Sequence, residues 1–327
     1  MKKVYWLALV LGFALSCTEE TPLTNRADDQ IAMPTQRACA SYEVLQEQIR
    51  QDPARGRRLE EIDAFIQKVQ DNPKLGRLVN GVYEIPVWVN VLHSSTAENI
   101  AQAQIQSQID VLNEDFNATN SDYNLVPSTF SGVKTSVGIR FVLQGVTRKS
   151  STKRSWRTDD SMKKASKGGI DPTSPTIYLN MWSCVLANGI LGYAQFPGGS
   201  SATDGVVIHT QAFGSRGKFS TGYYMNTYDQ GRTATHEVGH WFNLRHIWGD
   251  ATCGSDLVND TPVHNTANYG CSAAGHKSTC SGTPEEMWMN YMDYTDDKCM
   301  YMFTVGQKAR INATFATGGG RNSFAQP

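Results

Sequence analysis

Long apolar runs are missing from this chain. No stretch reaches the ~20 consecutive apolar residues that a membrane-spanning helix needs, so nothing reads as a transmembrane segment. An excess of one charge is missing too. Thirty Lys and Arg stand against 31 Asp and Glu, a net charge of −1, and without a sustained basic stripe a nucleic-acid partner is not expected. One local group of cations (Arg148, Lys149, Lys153, Arg154, Arg157, Lys163, Lys164 and Lys167) is interleaved with Ser, Thr and Asp, and reads as a solvated loop and helix face. CxxC spacing is absent among the seven cysteines, which excludes a zinc ribbon. No internal repeat is visible. What remains, at 327 residues, is room for one full enzyme core with appendages.

Histidine is scarce as well, seven in all, so three of them between positions 236 and 246 stand out. The run is His236-Glu-Val-Gly-His240-Trp-Phe-Asn-Leu-Arg-His246. On a helix, His236 and His240 project from one face and can share a metal. His246 lies too far along for that face, so the helix must break and swing the third imidazole back. Asn243 stands at the break, and asparagine tolerates the left-handed conformation better than any other non-glycine residue. Glu237, beside the first histidine, is placed to take a proton from water. Neutral imidazoles suit zinc, and three protein ligands leave a fourth position open, the mark of a catalytic rather than a structural site. Thr233-Ala-Thr235 is a good helix start, and the zinc helix is expected over 231–242.

This extended motif resembles the signature of the metzincin metallopeptidases. Asn290-Tyr291-Met292-Asp293-Tyr294 is similar to their Met-turn, in which Met292 would floor the zinc site without binding it. Tyr294 resembles the tyrosine that some members place beside the zinc to hydrogen-bond the tetrahedral oxyanion. Within the clan the chain resembles the pappalysins, above all the small microbial ones. The matching blocks are Tyr178–Trp182, Leu191–Gly199, Asp204–Ile208, the zinc helix, Asp260-Thr-Pro262 and the Met-turn region through Phe303. About residues 80 to 320 are covered. One departure is Asn243, where the family usually has glycine.

The resemblance implies an α+β metzincin-like catalytic domain: a twisted, mostly parallel sheet with an antiparallel edge strand, a zinc helix and a loop-rich C-terminal subdomain. The coarse pattern agrees, with strands expected at 83–92, 138–145, 175–181 and 204–209, an edge strand in Leu191–Phe196, and helices at about 97–115 and 304–316. A substrate is expected to pair with the edge as an extended strand. The resemblance further implies disulfides Cys253–Cys280 and Cys271–Cys299, where spacing alone leaves three pairings open. Cys184, at a strand end, is expected to be a buried free thiol. Asp256, Asn259, Asp260 and Thr261 form an oxygen-rich loop that resembles a family calcium site and equally suits a plain Asx-turn. Asp296 and Asp297 would make the primed-side pocket negative and favour a basic residue after the scissile bond; calcium ligation and plain solvation are the other readings. His209, His264 and His276 read as structural or surface residues.

The N-terminus reads as an export signal: Lys2 and Lys3, then the short apolar run Val4–Leu15. Ala14-Leu-Ser-Cys17 resembles a bacterial lipobox, making Cys17 a lipidation site; ordinary signal cleavage nearby is the alternative. The expected division is a signal peptide at 1–17, tether and propeptide at 18–77, and a catalytic domain at 78–327, with activating cleavage between Arg77 and Leu78 and Lys74 as the alternative site. Tyr42–Gln70 has helical spacing broken by Pro53 and Gly56. Cys39 is a candidate zinc ligand in the latent form, against a free thiol or a disulfide to Cys184. The tail from Gly318 is expected to be loosely held. The expected function is that of an exported or surface-anchored bacterial zinc endopeptidase made as a zymogen, acting on proteins or peptides and touching membrane only through a lipid anchor. The rival from another class is a catalytically silent surface protein that binds zinc and calcium.

Overall fold

The computed structural model describes residues 33–71 and 82–325. The signal sequence, Cys17, most of the tether, and Arg77 with Leu78 lie outside the described residues. In chain order the elements are α1 (Ser41–Gln51), α2 (Pro53–Asp71), β1 (Tyr83–His93), α3 (Gln102–Phe116), β2 (Lys134–Thr135), β3 (Ile139–Ser150), β4 (Leu179–Cys184), β5 (Gly192–Ala194), β6 (Val206–His209), α4 (Arg232–Trp241), β7 (Phe303–Thr304) and α5 (Val305–Phe315). Among the described residues no helix is long and apolar enough to cross a membrane.

Five strands form one sheet in the order β3-β1-β4-β6-β5. The first four are parallel, and β5 runs antiparallel to β6 at the edge. Alternation along the strands divides the core into two layers. Val87, Val89, Val91, Met181, Val206 and Ile208 face α3 and α4, while Leu92, Trp182, Tyr193 and Val207 face a second cluster with Trp156 and Met162. α3 packs on β3, and α4 lies against β5 and β6, which brings the expected zinc helix alongside the edge strand. The architecture is the mixed, mostly parallel sheet with one antiparallel strand that the sequence implied.

Four expectations need correction. β4 spans Leu179–Cys184 rather than 175–181, because a central strand buried on both faces shows no alternation to fix its ends. Gly56 does not break a helix: the only break is at Asp52–Pro53, where proline suits a first helical position, and Gly56 lies within α2 facing Ile49. The basic group is not simply solvated. Lys163 is fully buried, pairing with Asp160 at 2.9 Å and donating to the Thr203 carbonyl, and Arg148 and Lys149 belong to β3. The tail is not loose either. Arg321 is buried, bonds Asp204 at 2.6 Å and the carbonyls of Trp241 and Gln195, and Phe324 packs edge-on to Trp241.

Candidate active site

α4 carries the first two histidines and owes its ends to residues outside the motif. Its first turn is capped from a distance by Asp297, whose Oδ2 accepts from the backbone of Gln230 (2.8 Å) and Arg232 (3.3 Å). Thr233 and Thr235 are not caps: Thr235 donates to Asp115, and Thr233 accepts from Arg37. At the other end Asn243 has φ 73°, the left-handed conformation expected of it. Leu244 N bonds Gly239 O at 2.9 Å and Asn243 N bonds His240 O at 2.8 Å, the paired bonds of a Schellman stop. The chain then turns His246 back toward the other two imidazoles.

Each imidazole has its Nδ1 against an acceptor: His236 with Tyr291 O (2.7 Å), His240 with Leu244 O (2.8 Å) and His246 with Asp250 Oδ1 (2.5 Å). Nδ1 therefore carries the proton in all three, and all three Nε2 lone pairs point inward. His240 Nε2 lies 3.1 Å from His236 Nε2 and 3.0 Å from His246 Nε2. Tetrahedral zinc with Zn–N of about 2.05 Å would set such atoms about 3.3 Å apart. Three buried lone pairs facing one another repel unless a cation sits between them, so the donor set fits zinc. Burial and the neighbouring imidazoles hold His236 well below its ordinary pKa, and burial does the same for His240, so both are neutral and available as ligands.

The turn at 290–294 underlies this cluster. Met292 is fully buried, and its Sδ occupies the space that a side chain at Gly239 would need. Tyr294 packs against His246, 4.9 Å between ring centres, and against Trp248. Asp293 fixes this part of the chain by accepting from Tyr294 N (2.8 Å), Asn268 N (2.8 Å) and Asn268 Nδ2 (2.9 Å). His264 and Glu286 complete that buried group. Cys253 is bonded to Cys280 and Cys271 to Cys299, tying the intervening loops together; Cys39 and Cys184 are buried and unjoined.

Glu237 faces the edge strand. A side chain at Gly192 would come within 2.8 Å of its Oε1, so glycine there lets the strand pass close to the carboxylate. Burial pushes Glu237 up to about 8, against the lowering effect of hydrogen bonds from Cys39 and Ser41 and of the Arg37 charge. The N-terminal segment closes the site. Ala40 N bonds Gly192 O and Leu191 N bonds Ala38 O, so the segment runs along β5 in parallel. Cys39 Sγ lies 3.2 Å from Glu237 Oε2, and it and the three histidines offer ligand atoms within 4.8 Å of one another. Among the described residues this is the only such metal-ligating group. Tyr294 Oη donates to Cys39 O (3.0 Å) and accepts from Cys39 N (3.2 Å). Arg37 reaches Asp297 at 2.5 Å, the Thr295 carbonyl and Thr233.

Asp297 is thus neither solvated nor a calcium-type ligand here: it is fully buried beneath Arg37. The oxygen-rich loop divides. Asp256 and the Val258 carbonyl converge on Thr261, whose Oγ1 lies 2.9 Å from both Asp256 oxygens and from Val258 O, whereas Asp260 turns away to Thr304 and Gly306 at the start of α5. Sequence reasoning missed Asp250, Ser41, Arg37 and Asp63. Only Asp250, four residues past His246, had a legible signal, since a zinc-binding histidine needs a partner for its other nitrogen.

A helix bearing two histidines, a left-handed stop returning the third, and a glutamate against an antiparallel edge strand define a metzincin-type zinc metalloendopeptidase. Residues 174–316 match the M43 peptidase family described as pregnancy-associated plasma protein-A. The extracellular metalloprotease of Pyricularia oryzae is 34% identical over 240 residues, covering 71% of this chain and 75% of its own. That of Colletotrichum graminicola is 32% identical, covering 78% and 86%. Among solved structures, mature mirolysin of Tannerella forsythia in complex with a cleaved peptide is 41% identical with a TM-score of 0.71, covering 75% of this chain and 96% of that one. A promirolysin mutant from the same organism is 39% identical with a TM-score of 0.76, covering 88% and 97%. The chain belongs to the pappalysin family.

Proposed function

We propose that the chain is an exported endopeptidase held latent by its own N-terminal segment, with residues 1–17 as signal peptide, 18–77 as tether and pro-segment, and 78–327 as catalytic domain. One observation carries the reading: Cys39 Sγ shares a ligand-sized space with His236, His240 and His246, beside Glu237. The larger overlap with promirolysin than with mature mirolysin supports the assignment of the pro-segment. Export is supported by the relatives named extracellular metalloproteases; lipidation of Cys17 rests on the resemblance to a lipobox alone. Cleavage between Arg77 and Leu78 would release the segment.

His236, His240 and His246 would hold the zinc, and Cys39 would complete the set in the latent form. When bound, zinc acts as a Lewis acid and brings the deprotonation of water into the neutral pH range. Glu237, held on the zinc helix against the edge strand at Gly192, takes the proton of the attacking water and returns it to the leaving amine. The Tyr294 hydroxyl, now bonded to the Cys39 backbone, donates to the developing oxyanion once a substrate replaces the segment. The edge strand β5 offers the Gly192 carbonyl, and Leu191 just before it offers its amide, to an extended substrate, as they now do to Ala40 and Ala38. Arg37 stands in for a substrate's basic side chain, and its place on Asp297 supports a preference for Arg or Lys after the scissile bond.

The same reading gives calcium to Asp256, Val258 O and Thr261, with Asn259 beside them and Asp260 excluded. Burial pushes Asp256 up to about 6 despite hydrogen bonds from Thr261 and Val258 N, a penalty that a bound cation would remove.

The test is casein cleavage by residues 18–327 after removal of the pro-segment, beside Glu237→Ala. Equal zinc in both, with activity lower by about 10²–10⁴-fold in the variant, is expected. Zinc bound by the wild type with no cleavage would instead favour the silent binding protein.

A further inference from the structure

The departure at Asn243 has a partner in the N-terminal segment. A glycine there would adopt φ 73° without strain, so the asparagine side chain needs another use. Its Nδ2 donates to Asp63 of α2 at 3.0 Å. Arg245 Nη2 donates to the other Asp63 oxygen at 2.7 Å, and Arg310 Nη2 from α5 donates to the first. Arg310 is itself almost fully buried and donates through Nε to the Asn243 carbonyl at 2.8 Å. Three donors, two of them cationic, therefore converge on one carboxylate carried by the segment.

The rest of α2 lies on the same face. Arg55 donates to the carbonyls of Pro197 (2.7 Å) and Phe196 (2.9 Å), and Leu59 packs against Phe196. Ile66 and Val69 pack with Ala313 of α5 and with Ala316 just past its end. None of these contacts involves Cys39 or a histidine. Without α2, two guanidinium groups would face each other around an emptied notch, an arrangement that favours an anion.

We propose that Asn243, Arg245 and Arg310 form a carboxylate-binding docking surface for the pro-segment, and that Asp63 keeps the segment bound, as a non-covalent inhibitor, after the chain has been cut. Scission and activation are then separate events. The proposal rests on the pro-segment reading given above.

The experiment uses the full zinc-loaded chain with a recognition site for a site-specific protease inserted between Arg77 and Leu78. After cutting, co-elution of the fragment and peptidase activity on dilution are followed for the wild type and Asp63→Ala. The wild-type fragment co-elutes, and activity appears only on dilution. The Asp63→Ala fragment dissociates about 100-fold more readily, and activity appears at once. Residue 63 is absent from the released enzyme, so both preparations must reach the same final kcat/KM. Should Asp63→Ala not accumulate in folded form, Asp63→Asn keeps the shape and loses the charge, and is expected to weaken retention about tenfold. Retention unchanged in the variant, or wild-type fragment lost as soon as the chain is cut, would overturn the proposal. A released enzyme without activity counts against the peptidase reading instead, since co-elution still reports the docking surface.

Discussion

Asp297 offers the sharpest test of how the site selects substrates, and Asp297→Asn is the perturbation. The carboxylate is fully buried, holds Arg37 at 2.5 Å with one oxygen, and caps α4 with the other. Burial pushes its pKa up and Arg37 opposes that, so the pocket without a cation is unfavourable for the ionised group. Truncating one member of a buried, hydrogen-bonded charge pair costs about 2–5 kcal/mol. Asparagine retains an acceptor for Gln230 N and Arg232 N, so the lower end applies, about 2 kcal/mol or roughly 30-fold. The assay compares kcat/KM of the processed enzyme on two quenched-fluorescence peptides that differ only in Arg or Leu after the scissile bond. The Arg peptide should lose about 30-fold in the variant, and the Leu peptide should stay within about twofold. Equal losses on both would mean that Asp297 acts only by starting the zinc helix, and no loss on either would mean that the pocket does not read charge; either refutes the reasoning.

Asp250→Ala removes the acceptor from His246 Nδ1 and should weaken zinc binding about 10–100-fold, read by competition with a chelator. Tyr294→Phe keeps the ring against His246 and Trp248 but removes the hydroxyl, so kcat should fall about 100–1,000-fold with zinc content unchanged. His209 is buried, with its pKa pushed down to about 4 by burial. An unfolded histidine titrates near about 6.5, so stability is intact above that pH and is lost as pH falls toward 4. The loss at pH 4.5 is about 2–3 kcal/mol. His209→Gln should show a shallower fall in Tm between pH 6.5 and 4.5, and equal slopes would contradict this.

Much of the site was legible because its chemistry constrains sequence tightly. Two imidazoles on one helical face, a glutamate beside the first and a third histidine beyond a left-handed stop leave few alternatives, and the structure brings them together. The long-range partners were not legible. Asp63 meets Arg310 across 247 positions and Arg37 meets Asp297 across 260, separations over which no local pattern carries information. Arg321 looks like part of a loose tail in the sequence because its neighbours are Gly and polar residues; its burial depends on Asp204 and on carbonyls from two other segments. β4 misled for a related reason: a strand covered on both faces loses the alternation that would mark its limits. Lys163 shows the converse error, a cation whose charge suggested solvent but whose carboxylate partner lies one helical turn away in the core.

The central claim is that the three histidines hold zinc and that Cys39 completes the set until the segment leaves. Zinc K-edge absorption on the full chain, repeated after the pro-segment has been removed, tests it most directly. Three nitrogen ligands at about 2.0–2.1 Å and one sulfur at about 2.3 Å are expected before removal, with the sulfur replaced by a light atom afterwards. A zinc with no sulfur neighbour in the intact chain, or one whose sulfur persists in the active enzyme, would contradict it.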